Sequence, residues 1–156
     1  EWLQGISFLP LLQGKEKVRQ EIFAEINYHA AYEPCRCIRT ERWKYIKRFH
    51  DYPTPVLPNT DAGFSKSFWL RYNWKQHRLP REELYDLIFD PGETSNLVSS
   101  PEAGAVLDQM RQKLKEWMMK TDDPLLEGNL PLPETARLNP QHGLDPGEPT
   151  LPAGKR

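Results

Sequence analysis

Among the side chains able to do chemistry, the four histidines come first: His29, His50, His77 and His142. His29 follows Glu21-Ile22-Phe23-Ala24-Glu25-Ile26-Asn27-Tyr28, which has the β-branched and aromatic content of a strand. A stiff strand feeding a loop leaves the loop free to carry specificity. An imidazole there can hydrogen-bond a hydroxyl or an anionic oxygen, although the pattern also suits a plain surface histidine. His50, His77 and His142 fall in loop or tail sequence without a ligand partner at metal-binding spacing. Cys35 and Cys37 lie two apart in a second strand-like run, so they share a face and are poorly placed to bond to each other. They read as small buried apolar residues. Asp86 and Asp90 could suggest a metal. However, Asp90-Pro91-Gly92-Glu93 is a turn sequence, and strand-end and turn roles explain both aspartates better.

A basic cluster runs through Arg36, Arg39, Arg42, Lys44, Lys47 and Arg48. It is either the solvated face of a strand pair or a surface that attracts a sulfated or phosphorylated polymer. The formal net charge is only −1, which argues against a dedicated nucleic-acid binder. Arg36 has apolar strand neighbours, so it is placed for a buried hydrogen-bonded pair or for an anion contact. Glu25 and Asn27 share one face of the first strand and are candidate polar lining.

These residues must be positioned by a small number of elements. Pro34 to Thr40 is a second strand, Glu41-Arg42 a tight reversal, and Trp43-Lys44-Tyr45-Ile46-Lys47-Arg48-Phe49 alternates as a half-buried strand should. The proline-rich stretch from Asp51 to Asn59 is an irregular loop, and the aromatic stretch from Phe64 to Trp74 has helical spacing. Glu83 to Ile88 is a further strand. A helix is predicted from about Pro101 to Lys120, with Ser99 or Ser100 as cap and Pro101 in the first turn. Its apolar stripe comprises Val106, Met110, Leu114 and Trp117, with Leu107 and Met118. The expected fold class is α+β: a small antiparallel sheet with one long C-terminal helix packed across it, followed by an extended tail. The tail, from about Leu130, is crowded with proline and glycine and reads as extended or disordered. No apolar run approaches membrane-spanning length.

Three stretches, in order, resemble the C-terminal region of sulfatases of the alkaline-phosphatase-like superfamily. The first is Leu3-Gln4-Gly5-Ile6-Ser7-Phe8-Leu9-Pro10-Leu11-Leu12-Gln13-Gly14. The second is Tyr32-Glu33-Pro34-Cys35-Arg36-Cys37-Ile38-Arg39-Thr40-Glu41-Arg42-Trp43-Lys44-Tyr45-Ile46, in which Glu33 is an extra residue relative to the family pattern. The third is Glu83-Leu84-Tyr85-Asp86-Leu87-Ile88-Phe89-Asp90-Pro91-Gly92-Glu93-Thr94-Ser95-Asn96-Leu97. Within the family the likeness is greatest to the heparan N-sulfatase group. It rests on the His29 region, the aromatic insert before Glu83, and Trp117-Met118-Met119-Lys120-Thr121-Asp122-Asp123-Pro124.

The resemblance implies that residues 1–20 connect from a catalytic domain, 21–127 form a C-terminal subdomain, and 128–156 are a Pro/Gly-rich tail. It implies that the catalytic groups and metal ligands lie in an N-terminal sulfatase domain of the same protein, which would carry a calcium ion and a formylglycine made from Cys-x-Pro-Ser-Arg. That motif does not occur here, and Cys35-Arg36-Cys37 fails it. The chain is therefore expected to hold no catalytic and no metal-ligating residue. It would wall the cleft for a sulfated saccharide through His29, Arg36 and Glu25, in a periplasmic, secreted or lysosomal protein. Two other functions compete: a polyanion-binding module using the Arg36–Arg48 face, and the matching subdomain of a phosphoryl or phosphonate ester hydrolase. The chain opens on Glu1 rather than Met, so a leader on a longer precursor would not be seen.

Overall fold

The computed structural model describes residues 5–15, 18–128 and 130–152. Leu3 and Gln4, which open the first of the three stretches, lie outside the described residues. Strands β1 (Glu21–Tyr28), β2 (Tyr32–Thr40), β3 (Trp43–Arg48) and β4 (Glu82–Asp86) form one antiparallel sheet in chain order. The chain also has a single-turn helix α1 (Leu9–Leu12), helix α2 (Phe64–Arg71) and the long helix α3 (Gly104–Lys120). Two short strands, β5 (Arg137–Leu138) and β6 (Leu151–Pro152), pair in the tail.

Alternation decides which face of the sheet is covered. Pro34, Arg36 and Ile38 of β2 and Tyr45 of β3 are buried, whereas Cys35 and Cys37 point to the other side and are half-buried. The buried side receives α3. Leu107, Met110, Leu114 and Met118 form its seam and meet Ile38, Tyr45 and Leu84 in one core. Val106 and Trp117, expected in the stripe, lie at its edge and are half-buried, and Trp117 stacks on Phe23 of β1 with ring centroids 4.9 Å apart. Each fully buried aliphatic side chain in such a seam stabilises by about 1.5–3 kcal/mol.

The start of the predicted helix is tighter than expected. Pro101–Ala103 is a 3-10 turn, and neither it nor α3 receives a side-chain cap. Ser100 instead donates its hydroxyl to Glu102 at 2.7 Å.

The extra Glu33 has a structural consequence. Ile26 pairs with Cys35, but Tyr28 pairs with Tyr32, so Asn27 alone faces Glu33 and Pro34. This is a β-bulge, and it falls where Pro34 has no N–H to give the ladder. The bulge lies immediately before the β1–β2 turn that carries His29.

The tail has almost no regular structure, as its composition implies, but residues 130–152 are not a loose end. Leu130, Leu138 and Asn139 are buried, and Asn139 forms a β-bridge with Ala31. The apolar residues are few, so hydrogen bonds do much of the attachment. The Gln141 amide donates to the Tyr32 carbonyl at 2.7 Å, and Asn139 N–H donates to the Ala30 carbonyl at 2.8 Å. A composition rule that counts only apolar side chains misses such anchoring.

Candidate functional site

The β1–β2 turn brings the candidate residues to one end of the sheet. His29 sits on the turn and is exposed. Glu25 and Arg36 are direct cross-strand partners, and their side chains approach to 3.5 Å. Asn27, on the same face of β1 as Glu25, keeps a buried Oδ1 without a hydrogen-bond donor among the described residues.

Arg36 is only 1% exposed, and the structure shows what neutralises it. Its Nε donates to Asp123 Oδ2 at 2.6 Å and its Nη2 to Asp123 Oδ1 at 3.0 Å. Nη1 donates to the Ile26 carbonyl at 3.1 Å and the Cys35 carbonyl at 2.9 Å. Four of the five guanidinium N–H groups are thus bonded within the protein, and Glu25 lies 3.5 Å from Nη2. Of the two readings of Arg36, the geometry supports the buried pair, because the bidentate bond to Asp123 occupies the side chain. Glu25 is largely exposed, and one of its carboxylate oxygens faces Arg36.

His29 differs in kind. The turn around it is held by its backbone, which leaves the imidazole outward. Asn59, at the end of a 3-10 turn (Leu57–Asn59), accepts hydrogen bonds from Ala30 N–H at 2.9 Å and Ala31 N–H at 2.7 Å. Its amide donates to the Ala31 carbonyl at 3.0 Å and to Glu33 at 2.8 Å. Burial pushes the Glu33 carboxyl above the ordinary glutamate range, against the opposing pull of Asn59 and Arg48. Sequence reasoning missed Asn59 because a loop residue 28 positions from its partner leaves no local signal.

Asp86 and Asp90 have structural partners. Asp86 accepts from Arg42 and from Ile88 and Phe89 N–H; the Arg42 guanidinium holds its carboxyl below the usual aspartate range. Asp90 accepts Ser95 N–H and Thr94 N–H, each at 2.8 Å, and these bonds lower its pKa. Both residues therefore shape the turn after β4. His50 is buried with both ring nitrogens unpartnered among the described residues, and its pKa is lowered first by burial and then by Arg48 and Arg81.

The basic cluster is largely compensated. Arg36 pairs with Asp123, Arg42 with Asp86 at 2.7 Å, Lys44 with Glu93 at 2.5 Å and Arg48 with Glu83 at 2.8 Å. A polyanion would have to compete with these carboxylates, so the face has little of the unpaired charge that such a module needs. Among the described residues, no group of three or more His, Cys, Asp or Glu side chains is arranged to hold a metal ion. The two thiols do not fit the formylglycine role: both lie in β2, and burial pushes Cys35 up to about 11 and raises Cys37.

No family model matches the chain. Curated relatives do. An ulvan-active sulfatase of Formosa agariphila is 32% identical over 85% of this chain and 28% of its own length. Human N-sulphoglucosamine sulphohydrolase is 28% identical over 78% of this chain and 27% of its own. A Δ4,5-hexuronate-2-O-sulfatase of Bacteroides thetaiotaomicron is 27% identical over 76% and 20%. In structure, a 2-O GAG sulfatase superposes with a TM-score of 0.55 at 25% identity, covering 80% of this chain and 22% of that one.

The chain is similar to a segment of sulfatases.

It spans only between 20% and 28% of the length of these curated relatives. A second structure, solved with its substrate D-glucosamine-2-N,6-O-disulfate, shares the fold at a TM-score of 0.53 and 20% identity, over 77% of this chain and 20% of that one. Identity does not single out the heparan N-sulfatase group, since the ulvan-active enzyme is no less similar. Among the described residues, no helix is long and apolar enough to cross a membrane.

Proposed function

We propose that this chain builds part of the substrate cleft of a sulfuric ester or sulfamate hydrolase. Its substrate would be a sulfated sugar of the N-sulfoglucosamine type, and the nucleophile would lie elsewhere in the protein. The observation that carries this reading is the His29 turn: its backbone is locked by hydrogen bonds while its imidazole faces outward. An imidazole presented from a fixed turn suits hydroxyls and sulfate oxygens. The name of the human relative, N-sulphoglucosamine sulphohydrolase, supports this substrate type.

Uncovered apolar surface supports a docked catalytic domain. Ile22 and Ile26 are exposed on the outer face of β1, Phe8, Leu9 and Leu12 on and beside α1, and Phe64, Phe68, Trp69 and Tyr72 around α2. Exposed apolar surface of this extent marks an interface. The calcium ion and formylglycine of the family would belong to that domain.

The purified chain should therefore release no sulfate from an aryl sulfate or from N-sulfoglucosamine above a metal-free control. Sulfate release that tracks the chain through purification would contradict the assignment of the chemistry to another domain.

A further inference from the structure

An ordinary three-residue hairpin loop satisfies itself with a few backbone bonds, but the His29-Ala30-Ala31 turn is held from two distant segments. Asn59 reaches it from the proline-rich loop with two accepted hydrogen bonds and one donated, and donates a further one to Glu33 on β2. From the tail, Asn139 N–H donates to the Ala30 carbonyl. Asn59 is itself fixed. Lys66, a buried residue of α2, donates to the Leu57 carbonyl at 3.0 Å and the Thr60 carbonyl at 2.6 Å, on either side of Asn59, and to Asp145 at 3.2 Å. The Asn59 amide can take only one orientation, because flipping it would point its NH2 at two N–H donors. This much polar support, buried at a cost unless fully bonded, goes to a turn with only one chemically active side chain.

We propose that Asn59 is the positioning residue for His29, setting the direction in which the imidazole meets the sulfated sugar; this rests on the substrate reading of His29. Asn59 does not touch substrate. It acts through the Ala30 and Ala31 backbone, with Glu33 as its carboxylate partner on β2. The extra glutamate of the second motif thereby acquires a role in the site.

The test uses the full-length enzyme and a sulfated glucosamine disaccharide. Asn59→Ala should lower kcat/KM roughly tenfold, mainly through KM, matching the loss expected for His29→Ala. The double variant should be no worse than His29→Ala alone, since a misdirected imidazole and an absent one are the same loss. Asn59→Asp should also be impaired, because it sets a carboxylate against Glu33. Combining it with Glu33→Gln supplies a donor to that carboxylate and should recover much of kcat/KM, which general damage to the fold would not. Asn59→Ala with wild-type kinetics beside an impaired His29→Ala would overturn the proposal alone, as would losses that multiply in the double variant. A kinetically silent His29→Ala would instead remove the substrate reading, and the proposal with it. If Asn59→Ala does not fold, the pair Asn59→Asp and Glu33→Gln decides: no recovery over Asn59→Asp alone overturns the proposal.

Discussion

Replacing Asp123 with alanine should destabilise the protein by about 3–5 kcal/mol, the range for stranding one member of a buried ion pair. Arg36 and Asp123 are 1% and 3% exposed, so water cannot take over the lost partner. The geometry is bidentate, and the same carboxylate also accepts Leu125 N–H at 3.0 Å, which starts the 3-10 turn after α3. The substitution would thus remove the bidentate partner of a buried guanidinium and the acceptor of an amide together. The pair also ties β2 to the segment following the helix, 87 residues away, and so closes the sheet-and-helix layer. Urea unfolding measures the effect. A replacement of both residues by apolar side chains of similar volume, Arg36→Met with Asp123→Leu, should cost much less than the single change, because no charge is left stranded. A loss below about 1 kcal/mol for Asp123→Ala would mean that the pair is wet in solution.

Leu114→Ala should cost about 2–4 kcal/mol by the same measurement. Leu114 lies in the middle of the α3 seam, is 2% exposed, and belongs to the cluster that includes Ile38, Tyr45 and Leu84. Truncation there loses the transfer energy of the removed carbons and leaves a cavity that sheet and helix cannot both collapse into. Met119 provides the internal control. It belongs to the same helix but is 59% exposed, so Met119→Ala should change stability by no more than about 0.5 kcal/mol. A Leu114→Ala effect no larger than the control would show that α3 does not cover the sheet.

Much of this architecture is legible in the sequence, because it is encoded at short range. Alternation in Trp43–Phe49 marks a strand with Tyr45 inward, and the 3.6-residue period after Pro101 marks α3. The turn sequence after β4 also reads locally, since Asp90 takes the N–H groups of residues four and five positions on. What stays hidden is long-range and polar. The sequence places Arg36 among apolar neighbours but cannot choose Asp123 from the many acidic residues of the chain. It presents Asn59 as one more residue of a proline-rich loop. It gives the aromatic stretch helical spacing but not its covered side: Lys66 is the buried residue of α2 and Phe64 is 98% exposed. Each of these is a tertiary choice that overrides local pattern. Likewise the tail's composition predicts little apolar anchoring, and the anchoring it has is largely amide to carbonyl.

Substrate recognition through the His29 turn, with bond breaking left to another domain, is tested most directly by the steady-state kinetics of His29→Ala. The measurement uses the full-length enzyme on a sulfated glucosamine disaccharide, with the melting midpoint recorded alongside. Loss of one hydrogen bond to a charged group is worth about 1.5–3 kcal/mol, so kcat/KM should fall about tenfold or more. The fall should lie mainly in KM, with the midpoint little changed, because His29 is exposed and its turn is held by backbone contacts. Wild-type kinetics, or a collapse of kcat at unchanged KM, would contradict a recognition role for this turn.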